Sequence, residues 1–424
     1  MNRLLKQVEH ALLQQPREGV RWLGFSGGLD STVLLYLLCE LGVEVRAVHV
    51  HHGLSPNADT WLAHCAETAE ALGVPFTARR VRVDAKEGGL ERAAREARYR
   101  VFGELLQPGD TLLLAQHGDD QVETFFLRLL RGAGALGLAA MATSRPLGSA
   151  VVLRPLLGTS RAELASYARE RKLRWIEDES NSDQTLDRNY LRQVVLPPLR
   201  ERWPVRERVT RAADNLREAA ELLRDLGRGD LELCDRRRES FGESLDLEML
   251  RRLPRRRQKN LLRCWLEDSG GDMPEAPHLQ QALDQALQAG ADRRMAVGLG
   301  GRVARRYRNR LYLTPPLGRL ADGEWHWQGT SALQLPGGWE LRARSGWPQG
   351  DYTVRFRRGG ERARPVGRRH SQTLKKLLQE AALEPWLREW IPLVYRGERL
   401  IAVGGLFLCD EGIAGSLEWC YRGP

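Results

Sequence analysis

The amino-acid sequence predicts an α/β protein that begins with a doubly wound parallel sheet. Short apolar segments alternate with amphipathic segments over about the first 140 residues, as in folds that wind helices around parallel strands. A glycine-rich turn stands between the first apolar segment and the helix after it. The chain has 424 residues, 42% hydrophobic and 28% charged, which is enough for two or three folded domains.

The alternation in the first part predicts strands and helices of ordinary length. The predicted strands cover 20–25, 43–50, 76–83 and 111–115, and the predicted helices cover 30–41, 58–72, 90–106 and 119–130. Ligands of such sheets bind beyond the carboxyl ends of the strands, so the residues that follow each strand are candidates for a site.

The rest of the chain is predicted to form two smaller domains. Ser160 and Glu163 have the spacing of a capping box that opens a helix, and a long charged helix over 199–226 leads out of the first domain. The predicted domains are an α/β domain over 1–215, a mainly helical middle domain over 216–320 and a small α+β domain over 345–424.

The pattern within these later domains is more irregular. It predicts helix over 245–290 with a break at 269–277, a hairpin over 297–313, turns over 315–350, strands over 352–356, 391–395 and 400–403, and a helix over 372–382.

The net charge of +10 is concentrated in the second half. Residues 1–200 contain 25 Lys and Arg against 24 Asp and Glu, whereas residues 201–424 contain 40 against 31. Nearly all of the cations are arginine, which pairs with phosphates and stacks on bases, so this half suits a nucleic acid. A bias toward arginine codons with an ordinary solvated surface explains the charge equally well.

Composition also excludes several classes of protein. Residues 1–15 are charged and lack the apolar stretch of a secretory signal, and the longest apolar run, 33–39, is far shorter than a membrane span. The six cysteines include no C-x-x-C pair and suit reduced thiols. We therefore expect a cytoplasmic protein that does not enter a membrane.

The strongest functional signal is the turn Ser26-Gly27-Gly28-Leu29-Asp30-Ser31. Its glycines let the backbone approach a phosphate, and the amides that begin the next helix point toward that phosphate. A carboxylate beside a phosphate is repulsive, so Asp30 indicates a bridging Mg²⁺ ion. The turn lacks the pattern of a Walker A loop. The plain structural alternative is a glycine-rich turn with an N-cap.

This turn resembles the PP-loop of the N-type ATP pyrophosphatases. The resemblance implies that ATP is cleaved between its α- and β-phosphates and that a carbonyl oxygen of the substrate is adenylated. It implies ATP-binding roles for the loop and for one histidine after the second strand, namely Ser26, Gly27, Gly28, Leu29, Asp30, Ser31 and His51, with Asp30 also as metal ligand. For His51, a satisfied strand end is an equally good interpretation.

Further segments narrow the resemblance to the tRNA(Ile)-lysidine synthase family. The match is dense over about 20–205, continues at 374–378 and 385–387, and is only general over about 225–345. The matching segments of the first part are 49–55, 95–99, 117–124, 131–134, 154–157, 177–181 and 188–192.

The resemblance implies a two-step reaction on an isoleucine tRNA with a CAU anticodon. ATP adenylates O2 of the wobble cytidine, and the ε-amine of free L-lysine then attacks C2 and expels AMP. A PP-loop tRNA thiolase is the alternative, but such enzymes usually need paired or catalytic cysteines. A tRNA-binding protein without activity is a third hypothesis, against which the complete loop argues.

Roles for particular residues follow from the same resemblance. The lysine-binding candidates are Asp119, Asp120 and Glu123, the catalytic candidates are Asp30, Asp119 and Arg98, and the candidates for loop contacts with phosphate are Asn181, Arg188, Asn189 and Arg192. Each has a structural alternative: acidic residues favour a helix N-terminus by themselves, and arginines are common on exposed helix faces and solvated loops.

The basic clusters of the second half are the candidates for tRNA contact. They include Arg305, Arg306, Arg357, Arg358, Arg368, Arg369, Lys375 and Lys376. Some interleave arginine with aromatic residues, which suits RNA. The sequence leaves open which cluster meets which part of the tRNA, the identity elements, the order of substrate binding, the carboxylate that acts as base and whether the chain forms a homodimer.

Overall fold

The computed structural model describes residues 3–15, 18–83, 90–288 and 295–423. The chain divides into two compact units, Met1–Glu221 and Leu222–Pro424. The division falls within one long helix, a few residues beyond the predicted domain boundary at residue 215. In the described ranges, no helix is both long and apolar enough to span a bilayer.

The first unit is built on one twisted sheet. Its strands are β1 (Arg21–Gly24), β2 (Arg46–His51), β3 (Phe76–Arg80), β4 (Thr111–Leu113), β5 (Ser144–Leu147) and β6 (Ala150–Leu153). They lie in the order β3-β2-β1-β4-β6-β5, with parallel pairs throughout except at the β5–β6 hairpin. The predicted parallel α/β fold is confirmed.

Helices follow the strands as the alternation predicts. They are α1 (Arg3–Leu13), α2 (Leu29–Glu40), α3 (Ala58–Ala71), α4 (Leu90–Leu105), α5 (Gly118–Leu130), α6 (Ala135–Leu138), α7 (Arg161–Glu170), α8 (Asp187–Tyr190), α9 (Leu196–Arg202) and α10 (Val205–Leu233). A 3₁₀ turn at Glu179–Ser182 precedes α8, and a π-helical turn at Leu191–Val195 joins α8 to α9.

Helix α2 positions the glycine-rich turn because it is buried on nearly every side. Its leucines Leu34, Leu35, Leu37 and Leu38 have no exposed surface and pack in one core with residues of α1, β1 and α7. A helix that is apolar all round is held by its neighbours rather than by one amphipathic face. The start of α2 is therefore a rigid platform at the carboxyl end of β1.

The first part of the second unit combines helices with a five-stranded sheet. The helices are α11 (Leu247–Arg252), α12 (Arg255–Asp268) and α13 (Ala276–Gln288), and the strands are β7 (Arg237–Arg238), β8 (Glu243–Asp246), β9 (Met295–Leu299), β10 (Arg302–Tyr307) and β11 (Arg310–Thr314). The predicted hairpin over 297–313 is confirmed by the β10–β11 pair. The last two residues of the helix predicted over 245–290 lie outside the described ranges.

The end of the chain is rich in short strands around an aromatic core. The strands are β12 (Glu324–Trp327), β13 (Leu333–Leu335), β14 (Trp339–Ala343), β15 (Tyr352–Phe356), β16 (Arg362–Ala363), β17 (Gln372–Thr373), β18 (Pro392–Arg396), β19 (Arg399–Val403), β20 (Phe407–Leu408) and β21 (Leu417–Tyr421), with one helix, α14 (Leu374–Glu380). Strands β12 to β14 replace the turns predicted over 315–350, because strands of three to five residues between glycines leave little alternation to read.

Candidate active site

The glycine-rich turn runs from β1 into α2 and packs against Ile176 and Cys65. Gly27 has φ +78°, and a Cβ at this position would lie 2.5 Å from Ile176 Cδ1 and 2.7 Å from Cys65 Sγ. The amide of Ile176 donates to the Gly27 carbonyl at 2.9 Å. A side chain at Gly27 would therefore push the turn off its support, so glycine is required here.

Two serines close the turn on its other side. Ser26 Oγ and Ser31 Oγ are 3.1 Å apart, and Ser31 Oγ donates to the Gly28 carbonyl at 3.1 Å. The N-cap residue of α2 is Gly28, which has no side chain to accept hydrogen bonds from the first amides of the helix. The first amides of the helix are thus available to an anion, as in other phosphate-binding turns.

A large cavity opens in front of this turn. Its volume is about 1440 Å³, more than the 300–1,000 Å³ or so of a pocket for one small ligand. The candidate residues that line it are Ser26, Gly28, Leu29, Asp30, Ser31, His51, Arg98, Asp120, Asn181, Arg188, Asn189 and Arg192. The structure therefore brings residues from five separate sequence segments to one cavity, whereas Gly27, Asp119 and Glu123 are not among the residues that line it.

His117, at the start of α5, joins two of the aspartates. Its Nδ1 accepts a hydrogen bond from the Asp119 amide at 3.2 Å, which leaves the proton on Nε2. Nε2 lies 3.5 Å from Oδ2 of both Asp30 and Asp120. Burial alone would lower the pKa of His117, but the hydrogen bond to Asp30 and the aspartate charges outweigh it and raise that pKa.

Sequence reasoning did not assign His117 a role in the site. The signal was its place between β4 and two acidic residues, where it serves both as N-cap of α5 and as link to the glycine-rich turn. The other carboxylate oxygen of Asp30, Oδ1, is buried and has no hydrogen-bond partner among the described residues. A buried carboxylate oxygen without a donor fits a cation ligand.

The acidic face of α5 is paired with arginines from the α8 region. Glu123 accepts from Arg188 Nε at 2.7 Å and from Arg192 Nε and Nη2 at 2.6 and 3.0 Å. Asp120 accepts from Arg188 Nη2 at 2.6 Å. The Glu123 side chain is only 1% exposed, so its charge is balanced by these two guanidinium groups rather than by water.

Asp119 has a different arginine partner. Its Oδ1 accepts from Arg200 Nη2 at 2.7 Å, and its Oδ2 accepts from the Arg161 amide at 2.8 Å. Arg200 lies on α9 and was not among the sequence candidates. The charged helix pattern after residue 199 concealed it, because every arginine there fits a solvated face equally well.

The cavity lining also includes Arg98 and three histidines, His49, His51 and His52. His49 Nδ1 is 3.0 Å from the Phe25 carbonyl, and His51 Nε2 is 3.3 Å from Asp59 Oδ1. Burial, followed by the charge of Arg98, lowers the pKa of His52 to about 4. His52 is therefore neutral beside Arg98, whose cationic group remains at the cavity.

The polar loop before α8 is held by its own backbone contacts. Asn189 Nδ2 donates to the carbonyls of Ser180 and Asp183 at 2.9 and 2.8 Å, and the Asn181 carbonyl accepts from Gln193 at 2.6 Å. Both asparagines thus shape the loop that borders the cavity. The side chains of Arg188 and Arg192, which follow this loop, contact Glu123 of α5.

The basic candidates of the second unit fall into two groups. Arg305 lies over the Trp386 ring, and Arg306 donates to the carbonyl of Ala286. Arg357 is 18% exposed and lies 3.6 Å from a Glu361 oxygen. The others are exposed: Arg358, Arg368 and Lys376 make ion pairs at the surface, and Arg369 and Lys375 extend into solvent.

Models of protein families match three parts of the chain. A PP-loop domain matches residues 2–199, a TilS substrate binding domain matches 245–312, and a TilS substrate C-terminal domain matches 352–422. The first match covers the sheet, the glycine-rich turn and α5, which are the elements that form the cavity.

Whole-chain relatives agree with these matches. The tRNA(Ile)-lysidine synthase of Methylococcus capsulatus is 42% identical over 93% of this chain and 93% of its own length, and that of Pseudomonas aeruginosa is 44% identical over 95% and 94%. Among solved structures, the U34-tRNA thiolase NcsA from Methanococcus maripaludis covers 51% of this chain and 78% of its own at 17% identity and a TM-score of 0.42.

Proposed function

The chain belongs to the family of tRNA(Ile)-lysidine synthases, and from this premise we propose how its cavity performs the reaction. It is a ligase that forms a carbon–nitrogen bond on tRNA at the expense of ATP. The product is lysidine, formed by joining lysine to C2 of the wobble cytidine in an isoleucine tRNA with a CAU anticodon, with release of AMP and pyrophosphate.

One observation carries the assignment to this cavity. Asp30 of the glycine-rich turn and Asp120 of α5 flank the same His117 nitrogen at the edge of a space large enough for several substrates. The phosphates of ATP would bind the amides at the start of α2 with Ser26 and Ser31, and His51 would border the nucleotide. The reacting α-phosphate then lies between the turn and the acidic start of α5.

Mg²⁺ fits Asp30, whose Oδ1 is buried without a donor. In the described ranges, no set of three or more His, Cys, Asp or Glu side chains is arranged to hold a metal ion. The ion would therefore take phosphate oxygens as further ligands, which is how Mg²⁺ is usually held beside nucleotides. When bound, it supplies charge neutralisation on the triphosphate.

The acidic face of α5 would bind the ammonium group of lysine, with Asp120 at the cavity and the charges of Asp119 and Glu123 beside it. Arginines occupy these carboxylates in the structure, so lysine binding requires an exchange of cations. The ATP phosphates provide the alternative acceptor for Arg188 and Arg192, since guanidinium groups bind phosphate in the same two-pronged way as carboxylate. ATP binding would thereby prepare the lysine site.

The chemistry then proceeds in two balanced steps. O2 of cytidine attacks the α-phosphorus and the bond to pyrophosphate breaks. The lysine ε-amine, after losing a proton to a carboxylate of α5, attacks C2, and the C2–O2 bond breaks to release AMP. Arg98 faces the cavity and would stabilise the negative charge that develops on the departing phosphate.

Sulfur transfer has no comparable support in the catalytic unit. Cys65 packs beneath Gly27, and burial raises the pKa of its thiol to about 12. Cys39 lies within α2. The tRNA would instead be held by the exposed cations of the second unit, foremost Arg358, Arg368, Arg369, Lys375 and Lys376. A location in the cytoplasm follows from the supply of ATP and tRNA.

A reconstituted reaction tests the proposal. The purified chain is incubated with Mg-ATP, labelled lysine and unmodified isoleucine tRNA carrying CAU, and the digested tRNA is analysed by mass spectrometry. We expect lysine-dependent AMP release and conversion of one cytidine to its lysine adduct, with no adduct on methionine tRNA bearing the same anticodon. AMP release without an adduct would contradict the proposal.

A further inference from the structure

Three arginines that the proposed mechanism does not use lie around one tyrosine of the first unit, and a fourth lies near one of them. Arg95 and Tyr99 belong to α4, Arg128 to α5, Arg145 to β5, and Arg154 follows β6. The Cζ atoms of Arg95 and Arg145 lie 4.8 and 5.1 Å from the centre of the Tyr99 ring. We refer to Arg95, Arg128, Arg145 and Arg154 as the arginine cluster.

The arginine cluster is bound by neutral groups. Arg128 donates to two backbone carbonyls at 2.7 and 2.8 Å, and Arg145 donates to another at 3.1 Å. Arg154 donates to the Ala142 carbonyl at 2.8 Å and to the side-chain oxygen of Gln116. Among the side chains that the structure describes, none of the four has a carboxylate at ion-pair distance, unlike Arg188 and Arg192.

Such an arrangement is costly in the absence of an anion. Arg154 is only 2% exposed, and burial together with the charges of Arg145 and Arg95 lowers its pKa. The pKa of Arg128 is lowered by burial and by Arg95. Buried positive charges are normally paired, so the buried Arg154 and the partly buried Arg128 and Arg145, clustered with the exposed Arg95, indicate a site that an anion completes.

The position of the cluster distinguishes this anion from the phosphates of ATP. Arg95, Tyr99 and Gln116 line the cavity on the wall formed by α4 and the end of β4, whereas the glycine-rich turn follows β1 and begins α2. Tyr99 is partly buried, and arginine beside an aromatic ring is a common means of holding RNA strands. A polynucleotide that delivers one base into the cavity brings phosphates on both sides of that base.

We propose that the arginine cluster binds backbone phosphates of the anticodon loop while the wobble cytidine occupies the cavity. This inference rests on the proposed function and adds an RNA site within the catalytic unit. It gives Arg95 and Arg145, the more accessible members, direct phosphate contacts. Arg128 and Arg154 supply charge from behind, and Tyr99 holds the first pair in place.

Binding of an RNA hairpin with the sequence of the anticodon arm tests the site in the full-length chain. We expect Arg95→Gln and Arg145→Gln each to weaken hairpin binding about tenfold, the effect of losing one charge-assisted contact. Each should also reduce the slope of log affinity against log salt concentration by about one. The KM for ATP should stay unchanged.

The control is Arg46→Gln. Arg46 is exposed and lies 5.7 Å from the centre of the Trp22 ring, but at the amino-terminal end of β2, at the opposite edge of the sheet. The Arg46→Gln variant should bind the hairpin with the same affinity as the unaltered chain. Arg145→Lys should retain most of the salt slope, which separates lost charge from a folding defect.

Two results would overturn the inference. A rise in the KM for ATP with unchanged hairpin affinity would assign the cluster to the triphosphate. Unchanged values for both would show that the cluster binds no anion. Hairpin binding does not require catalysis, so a chain that forms no lysidine would refute the proposed function and leave this measurement interpretable.

Discussion

Helix α5 begins and ends among arginines, but the two sets have different partners. At its start, Asp120 and Glu123 accept four hydrogen bonds from Arg188 and Arg192 at 2.6–3.0 Å. At its end, Arg128 belongs to the arginine cluster and donates to backbone carbonyls. At the start of the helix, the charges of the carboxylates and guanidinium groups balance one another. At its end, the positive charge of the arginine cluster has no carboxylate partner among the described side chains.

The comparison shows that arginine content alone does not identify a phosphate-binding surface. The second unit holds most of the net charge, yet Arg305 and Arg357 are directed at Trp386 and Glu361 within the unit. The first unit is nearly neutral, yet it holds a group of four arginines without a carboxylate partner among the described side chains. What matters is whether a carboxylate has already neutralised the guanidinium, which only the folded structure reveals.

The largest effect is expected where the turn meets the start of α5. Asp30→Ala should reduce lysidine formation by about a thousandfold, because it removes the buried oxygen that suits a cation and the partner of His117. AMP release and tRNA binding are measured in parallel, and tRNA binding should be retained. Asp214→Ala, which removes an exposed acid on α10, is the control.

Turnover in Asp30→Ala within tenfold of the unaltered chain would refute the role of Asp30. Loss of tRNA binding in the same variant would instead point to a folding defect, and Asp30→Asn, which keeps the shape of the side chain, would then decide between the two.

The second-largest effect is expected when the ion-pair network of Glu123 with Arg188 and Arg192 is broken. Glu123→Gln should lower the free energy of unfolding by about 3 kcal/mol, because two guanidinium groups lose the buried charge that balances them. Denaturant unfolding followed by tryptophan fluorescence measures it. Glu96→Gln, which breaks the exposed Arg92–Glu96 pair on α4, should change the free energy by less than about 1 kcal/mol. Equal effects in the two variants would contradict the distinction drawn between buried and exposed pairs.

Much of this site follows from local sequence patterns, and the remainder depends on contacts between distant segments. The turn at Ser26–Ser31 lies between a strand and a helix as predicted, and the capping box of Ser160 and Glu163 forms both of its hydrogen bonds, at 3.2 and 2.8 Å. These features depend on neighbours in the sequence. The partners of Glu123 lie 65 and 69 residues away, and no local pattern selects them from the other arginines.

The sequence predicts only part of the sheet in the middle region, the hairpin over 297–313, because β7 and β8 have two and four residues and leave little alternation to read. Strand β10, within the predicted hairpin, has the sequence RVARRY, with arginine stems on both faces. Its pairing with β9 and β11 and the burial of Ala304 define it. A basic cluster that the sequence offers as a candidate for RNA binding can therefore include arginines, such as Arg305 and Arg306, that make contacts within the folded unit.

A smaller effect concerns the stability of the chain at acidic pH, which depends on His52 beside Arg98. The pKa of His52 is about 4 in the folded chain, below its ordinary value of 6.5, because burial and Arg98 oppose its protonation. The unfolded chain therefore binds the extra proton first, and stability falls as the pH drops from about 6.5 toward 4. We expect His52→Gln to reduce this loss by about 1 kcal/mol, a value discounted for the partial exposure of the ring. Parallel stability profiles over this pH range would rule the explanation out.

The smallest effect compares cations within the second unit. Lys375 and Arg369 are exposed, and we expect Lys375→Ala and Arg369→Ala each to weaken binding of the complete tRNA about threefold, because each removes one screened contact with phosphate. Arg357→Ala should leave the salt dependence of binding unchanged, since its guanidinium faces Glu361. Filter binding at several salt concentrations separates the two classes, because a lost phosphate contact lowers the slope whereas a lost internal contact lowers only the melting temperature. A reduced slope in Arg357→Ala with unchanged slopes in the other two would reverse the assignment and would show that, in this unit, partly buried arginines contact RNA.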